Sequence, residues 1–173
     1  MKILLRCFAE ICLLRAGPQY LPASTFLLAA ALTVYGFAGL FLSLVNTTFT
    51  GALLMVMVDI LLLIAFAYVI LWVRVMTARF VQTLTALAGT GAILEFAAWP
   101  ALVWQQLSAT ADGGGVLIPS LLLWVWLFWS IAVVGHILRH ALSTTFTAGA
   151  LLSLLYTFIS IGVVRALFFL SPA

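Results

Sequence analysis

"VMVDILLLIAF" (residues 56–66) is a run of apolar side chains broken once, by Asp59. It lies inside a longer apolar segment, 50–73, that predicts a helix able to cross about 30 Å of hydrocarbon. A charge left unpaired at the centre of such a helix costs about 3 kcal/mol or more. Something must neutralise Asp59, solvate it or use it. Its neighbours at helical spacing are Met55, Val56, Leu62, Leu63 and Phe66, all apolar, so the partner must come from another helix.

The rest of the chain has the same character. Of 173 residues, 66% are hydrophobic and only 6% charged, whereas a soluble domain carries about a quarter charged residues. The mean hydropathy is +1.33. This is the composition of an integral membrane protein. The net charge of +3 arises from seven basic and four acidic side chains, too few for a nucleic-acid-binding surface.

Five apolar segments are long enough to span, at 24–45, 50–73, 79–104, 117–136 and 144–170. Short polar links separate them: "NTT" (46–48), "RVMTAR" (74–79), "QQLSATADGGG" (105–115) and "HILRHALS" (136–143). "GGG" (113–115) reads as a flexible turn. Residues 2–15 predict an amphipathic helix, with Lys2, Arg6 and Glu10 on one face and Leu4, Cys7, Phe8, Ile11 and Leu14 on the other. Too short and too charged to span, it is expected to lie in the membrane interface. Arg6 and Glu10 also argue against a cleavable signal peptide. "AGPQYLPAS" breaks the helix, and Ser24 or Thr25 is expected to cap the next one. The expected fold is therefore all-α: an interfacial helix and Gly/Pro linker (1–23), then a bundle of five transmembrane helices (24–173).

Lys2, Arg6, Arg15, Arg74, Arg79 and Arg139 all fall on one side of this topology, facing headgroups, and the alternate loops hold no Lys or Arg. The positive-inside rule makes that side cytoplasmic, with the N-terminus inside and the C-terminus outside. Cys7 and Cys12 then lie where thiols stay reduced, and both read as small packing residues.

Three ionisable residues are left inside spans: Asp59, Glu95 and Arg165. At about 1.5 Å per residue, they lie roughly 13, 12–14 and 7–8 Å below the outer boundary. All share the outer half of the membrane, so an intramembrane charge cluster is expected. Ala88, Gly91, Ala92 and Ala98 form a strip of small residues that lets a second helix approach Glu95. Pro100 frees the carbonyl of Phe96 one turn earlier. Gly162 offers Arg165 similar close packing. Two readings follow: a staple, with Arg165 bridging the acids, or a site, with the surplus carboxylate taking a proton or cation.

Other features carry less. His136 and His140, four apart, are half of a metal site with no third ligand nearby, so no metal or other cofactor is expected. Trp99 and Trp104 read as outer interfacial anchors. Trp124, Trp126 and Trp129 lie deeper, as packing or lipid-facing residues. "NTT" matches a glycosylation acceptor in form, but it hugs the membrane. "NTTFTGALL" (46–54) and "STTFTAGALL" (143–152) suit an inverted repeat, or equally two uses of one helix cap.

The cytoplasmic start, the Gly-Pro element "AGPQYLP" before span one, five tightly linked spans and a short outer C-terminus resemble the Yip family of five-span membrane proteins. "RFVQTLTALAGTGAILEFAAWP" (79–100), with Arg79, Gln82, Thr85 and Gly89, is similar to bacterial members in particular. The resemblance implies the five-span fold and a bacterial inner membrane. Eukaryotic members bind Rab GTPases through an N-terminal region longer than the one here, and the bacterial relatives have no settled activity. No Ser/His/Asp set, metal cluster or phosphate-cradling loop suggests an enzyme. A membrane scaffold or accessory subunit, associating with other membrane proteins or with itself in the bilayer, is the first expectation. A small transporter, channel or lipid-handling protein using Asp59, Glu95 and Arg165 is the alternative.

Overall fold

The computed structural model describes residues 2–110 and 115–168, with side chains from residue 4 onward. The Lys2 side chain, two glycines of the expected 113–115 turn and the C-terminal residues 169–173 lie outside the described residues. Six α-helices follow one another: α1 (Lys2–Cys12), α2 (Thr25–Ser43), α3 (Phe49–Val73), α4 (Phe80–Thr110), α5 (Leu117–Ala141) and α6 (Phe146–Phe168). Single 3-10 turns at Pro18–Tyr20 and Thr77–Arg79 precede α2 and α4. The five helices α2 to α6 are each long and apolar enough to cross a bilayer. The chain is an all-α integral membrane protein.

Helix ends follow local chemistry. Ser24 Oγ accepts from the Leu27 N–H at 3.3 Å and caps α2. Thr48 Oγ1 does the same for α3 through Gly51 N–H at 3.4 Å, and Thr145 Oγ1 for α6 through Ala148 N–H at 3.3 Å. The two similar segments thus share a capping job. Three boundaries differ from expectation. α4 runs on to Thr110 and α5 to Ala141, through residues that polarity alone assigned to links. Gln and Arg are good helix formers, so polar character at 105–106 and 139 does not stop a helix. α1 stops at Cys12, three residues early, where the chain turns through Leu14 at φ 61°.

α4 is the central helix, packed chiefly on α2 and α5, with α6 on α5 and α3 on α2. Leu63, Leu71, Leu84, Leu87, Val133, Ile137 and Leu138 form the shared core. Outside it, large apolar side chains such as Phe26, Leu61, Trp72, Phe128 and Phe158 stay exposed, the surface that lipid covers.

α1 is amphipathic as expected, and its apolar face is received by protein. Its charged face is exposed, with Arg6 Nε 2.8 Å from Glu10 Oε1, but Phe8 and Ile11 are buried in the bundle core against α4 and α5. The Phe8 ring fills the place a side chain on Gly89 would need, so a larger residue there must displace the ring. The apolar face of α1 therefore packs on protein. Cys12 is buried beside it, and burial pushes its thiol up to about 11, leaving an inert apolar knob.

Polar contacts tie each end of the bundle. At one end Gln106 donates to Asn46, and Gln105 Nε2 donates to Ser120 Oγ at 2.9 Å. At the other, basic, end Gln82 Nε2 donates to the Leu21 carbonyl at 2.8 Å, and His136 Nε2 to the Ala16 carbonyl at 3.0 Å. The Gly-Pro linker is thereby clamped to α4 and α5.

Candidate functional site

Asp59 finds its partners on other helices, as its apolar surroundings required, but they are hydroxyls. Tyr35 of α2 donates to Asp59 Oδ2. From α6, Ser160 Oγ donates to Oδ1 at 3.1 Å and the Tyr156 hydroxyl donates to the same oxygen at 3.3 Å. One carboxylate thus joins α2, α3 and α6. Both of its oxygens accept, the arrangement that suits an ionised acid.

The surroundings make this possible. Gly91 leaves room for the Tyr35 ring, which a Cβ there would meet at 2.8 Å. Phe66 packs on Tyr156, ring centroids 5.0 Å apart, and fixes its direction. Tyr156 and Ser160 are four apart on α6 and so share one face.

Glu95 lies across the same space. Together with Tyr35, Gly39, Val56 and Val164, the two acids line a cavity of about 180 Å³ that extends along α2 to Leu42 and Ser43, the end of that helix. A Cβ on Gly39 would stand 3.5 Å from Glu95 Oε2, so the missing side chain is part of the cavity's shape. That same Oε2 is buried and has no hydrogen-bond partner among the described residues. Asp59 is held by three hydroxyls; Glu95 lines the same cavity and has one buried oxygen without a partner among the described residues.

Arg165 is not part of this constellation, contrary to expectation. It is exposed, and the ion pair found among the described residues is Arg6–Glu10. Gly162 meets no neighbouring atom within 4 Å, so no helix packs closely beside Arg165. Similar depth places two side chains in one layer of the membrane, but not on facing sides of their helices. The small-residue strip is seated as expected: Ala88 and Ala92 are buried, Gly91 faces Tyr35, and Ala98 is half-buried. Pro100 sits inside an uninterrupted α4.

His136 and His140 stack edge to face, centroids 4.7 Å apart. His136 Nε2 donates to the Ala16 carbonyl, and His140 Nε2 accepts from Arg139 at 3.3 Å. Trp126 donates its indole N–H to the Leu94 carbonyl at 2.8 Å, while Trp124 and Trp129 are exposed. Of the headgroup-facing set, Arg6, Arg15, Arg74 and Arg79 are exposed and Arg139 is half-buried, and Arg79 and Arg139 also hydrogen-bond within the protein. Comparison with protein-family models, characterised proteins and solved structures yields no match.

Proposed function

We propose that this chain is a non-enzymatic membrane protein that takes up a proton or small monovalent cation at Asp59 and Glu95, as part of a transport or channel activity. The observation that carries the reading is two carboxylates on one intramembrane cavity, with no Lys, Arg or His among its lining residues. Two anions in so poorly solvated a place need a proton or a cation between them. The hydroxyl-held Asp59 suits a fixed acceptor, and the orphan oxygen of Glu95 suits the exchanging partner. A scaffold or accessory-subunit role, which the small-residue strip of α4 would suit, is set second, because that strip is taken up within the bundle by Tyr35 and the core. The Gly-Pro element and five-span order agree with a Yip-like architecture in a bacterial inner membrane, which supplies a fold and no activity.

The test is flux. In proteoliposomes under an imposed pH or Na⁺/K⁺ gradient, the wild-type chain should dissipate the gradient faster than empty vesicles. Glu95→Gln should abolish that excess while leaving the thermal unfolding midpoint of the purified protein in place. Equal rates in wild type, mutant and empty vesicles would refute the reading.

A further inference from the structure

A second, larger cavity of about 590 Å³ opens at the basic end of the bundle, between the Gly-Pro linker, the start of α4 and the α5–α6 turn. Its walls include Arg79, Gln82, Arg139, His140, Thr144 and Thr145. No carboxylate lines it. Of the chain's four acids, Glu10 is paired with Arg6 and Asp59 and Glu95 line the other cavity; Asp112 lies outside the described residues. Two guanidinium groups therefore face one concave space without a countercharge from the described protein.

Both are held in place. Arg79 Nη1 donates to the carbonyls of His140 at 3.3 Å and Ala141 at 3.0 Å and to Ser143 Oγ at 2.8 Å. That fixes the plane of the guanidinium and leaves its other N–H groups without partners among the described residues. Arg139 is steadied by His140 Nε2 at 3.3 Å and lies over the Phe146 ring, 5.8 Å from its centroid. Phe146 opens α6, and the start of that helix, Thr144 to Phe146, lines the same space, where the helix dipole favours negative charge. A pre-oriented Arg pair, a helix start and threonine hydroxyls match the three oxygens and negative charge of a phosphate group.

We infer that this cavity is a binding site for a phosphate group, carried by an anionic lipid headgroup or free in solution. It is a site separate from the Asp59–Glu95 cavity and stands or falls independently of it. Its position at the helix ends is headgroup level, and its volume holds a glycerophosphate as well as a bare phosphate.

The full chain, purified in a neutral detergent, is titrated calorimetrically with inorganic phosphate and, separately, with dihexanoyl phosphatidylglycerol and dihexanoyl phosphatidylcholine. Saturable binding is expected for one or both anions. Binding of the lipid alone assigns the site to a headgroup; binding of inorganic phosphate with equal strength assigns it to free phosphate. Arg139→Gln should weaken binding about tenfold or more, as loss of a charge-assisted fork does, and Arg15→Gln, a basic residue outside the cavity, should not. Thr144→Glu leaves both arginines intact yet places a negative charge in the cavity, and should also remove binding. Absence of saturable binding by either anion, phosphatidylcholine binding as tightly, or an equal loss in Arg15→Gln would overturn the assignment.

Discussion

Asp59 shows how a half-buried carboxylate in an apolar helix is satisfied by hydroxyls. Three hydroxyl donors from two neighbouring helices replace the water it would have outside. Each such bond inside a membrane is modest, about 0.5–1.5 kcal/mol. Tyr35→Phe should therefore cost about 1 kcal/mol in reversible SDS unfolding from bicelles. Asp59→Asn, which turns one accepting oxygen into a donor facing donors, should cost more. The double variant should cost less than the sum of the two, because both remove the same contact. Arg165→Met should stay within about 0.5 kcal/mol of wild type; a loss as large as that of Asp59→Asn would restore the staple. Sequence alone reached Asp59 and Glu95 because an acid inside an apolar run stands out. It missed Tyr35, Tyr156 and Ser160 because tyrosine and serine are unremarkable in such runs. The one available signal was the four-residue spacing of Tyr156 and Ser160, and nothing in it says which helix they face.

At the scale of elements, hydropathy made all five spans legible, since a lipid-facing helix must be apolar on most of its surface. Their ends and contacts were harder, because each depends on the partner. α5 and α6 approach through Gly135 and Gly149: a Cβ on Gly135 would stand 3.0 Å from the Ala150 backbone, and one on Gly149 would run into the Gly135 carbonyl. Backbone cannot swing aside as a side-chain tip can. Gly135→Ala and Gly149→Ala should each destabilise the bundle by about 1–3 kcal/mol, the range for overpacking. Gly162→Ala, with open space around it, should be neutral or stabilise by up to about 1 kcal/mol through helix propensity. The same unfolding assay separates the three, and equal effects would mean that α5 and α6 do not meet at these glycines. The docking of α1 was hidden for a related reason. An amphipathic face reads the same whether lipid or a slot at Gly89 receives it.

Across the whole molecule, the two ends differ in chemistry and the two cavities differ in charge. Arg79 and Arg139 line the larger cavity at one end, while Asn46, Gln105, Gln106 and Ser120 tie the opposite end with uncharged side chains. The acid-lined cavity reaches toward that opposite end, at Leu42 and Ser43. Short links and end-to-end contacts fix which helix ends lie together, but orientation comes from the basic residues alone, through their preference for the cytoplasmic side. In a chain with Cys7 and Cys12 replaced by serine, Ser108→Cys should react with a membrane-impermeant maleimide added to intact spheroplasts. Ser143→Cys, at the basic end, should react only after permeabilisation. The reverse pattern would turn the molecule over and with it the direction of access. If the basic end faces the cytoplasm, the cavity of Asp59 and Glu95 would open to the outside along α2 and the larger cavity to the cytoplasm, with one central helix, α4, contributing Glu95 to one and Gln82 to the other.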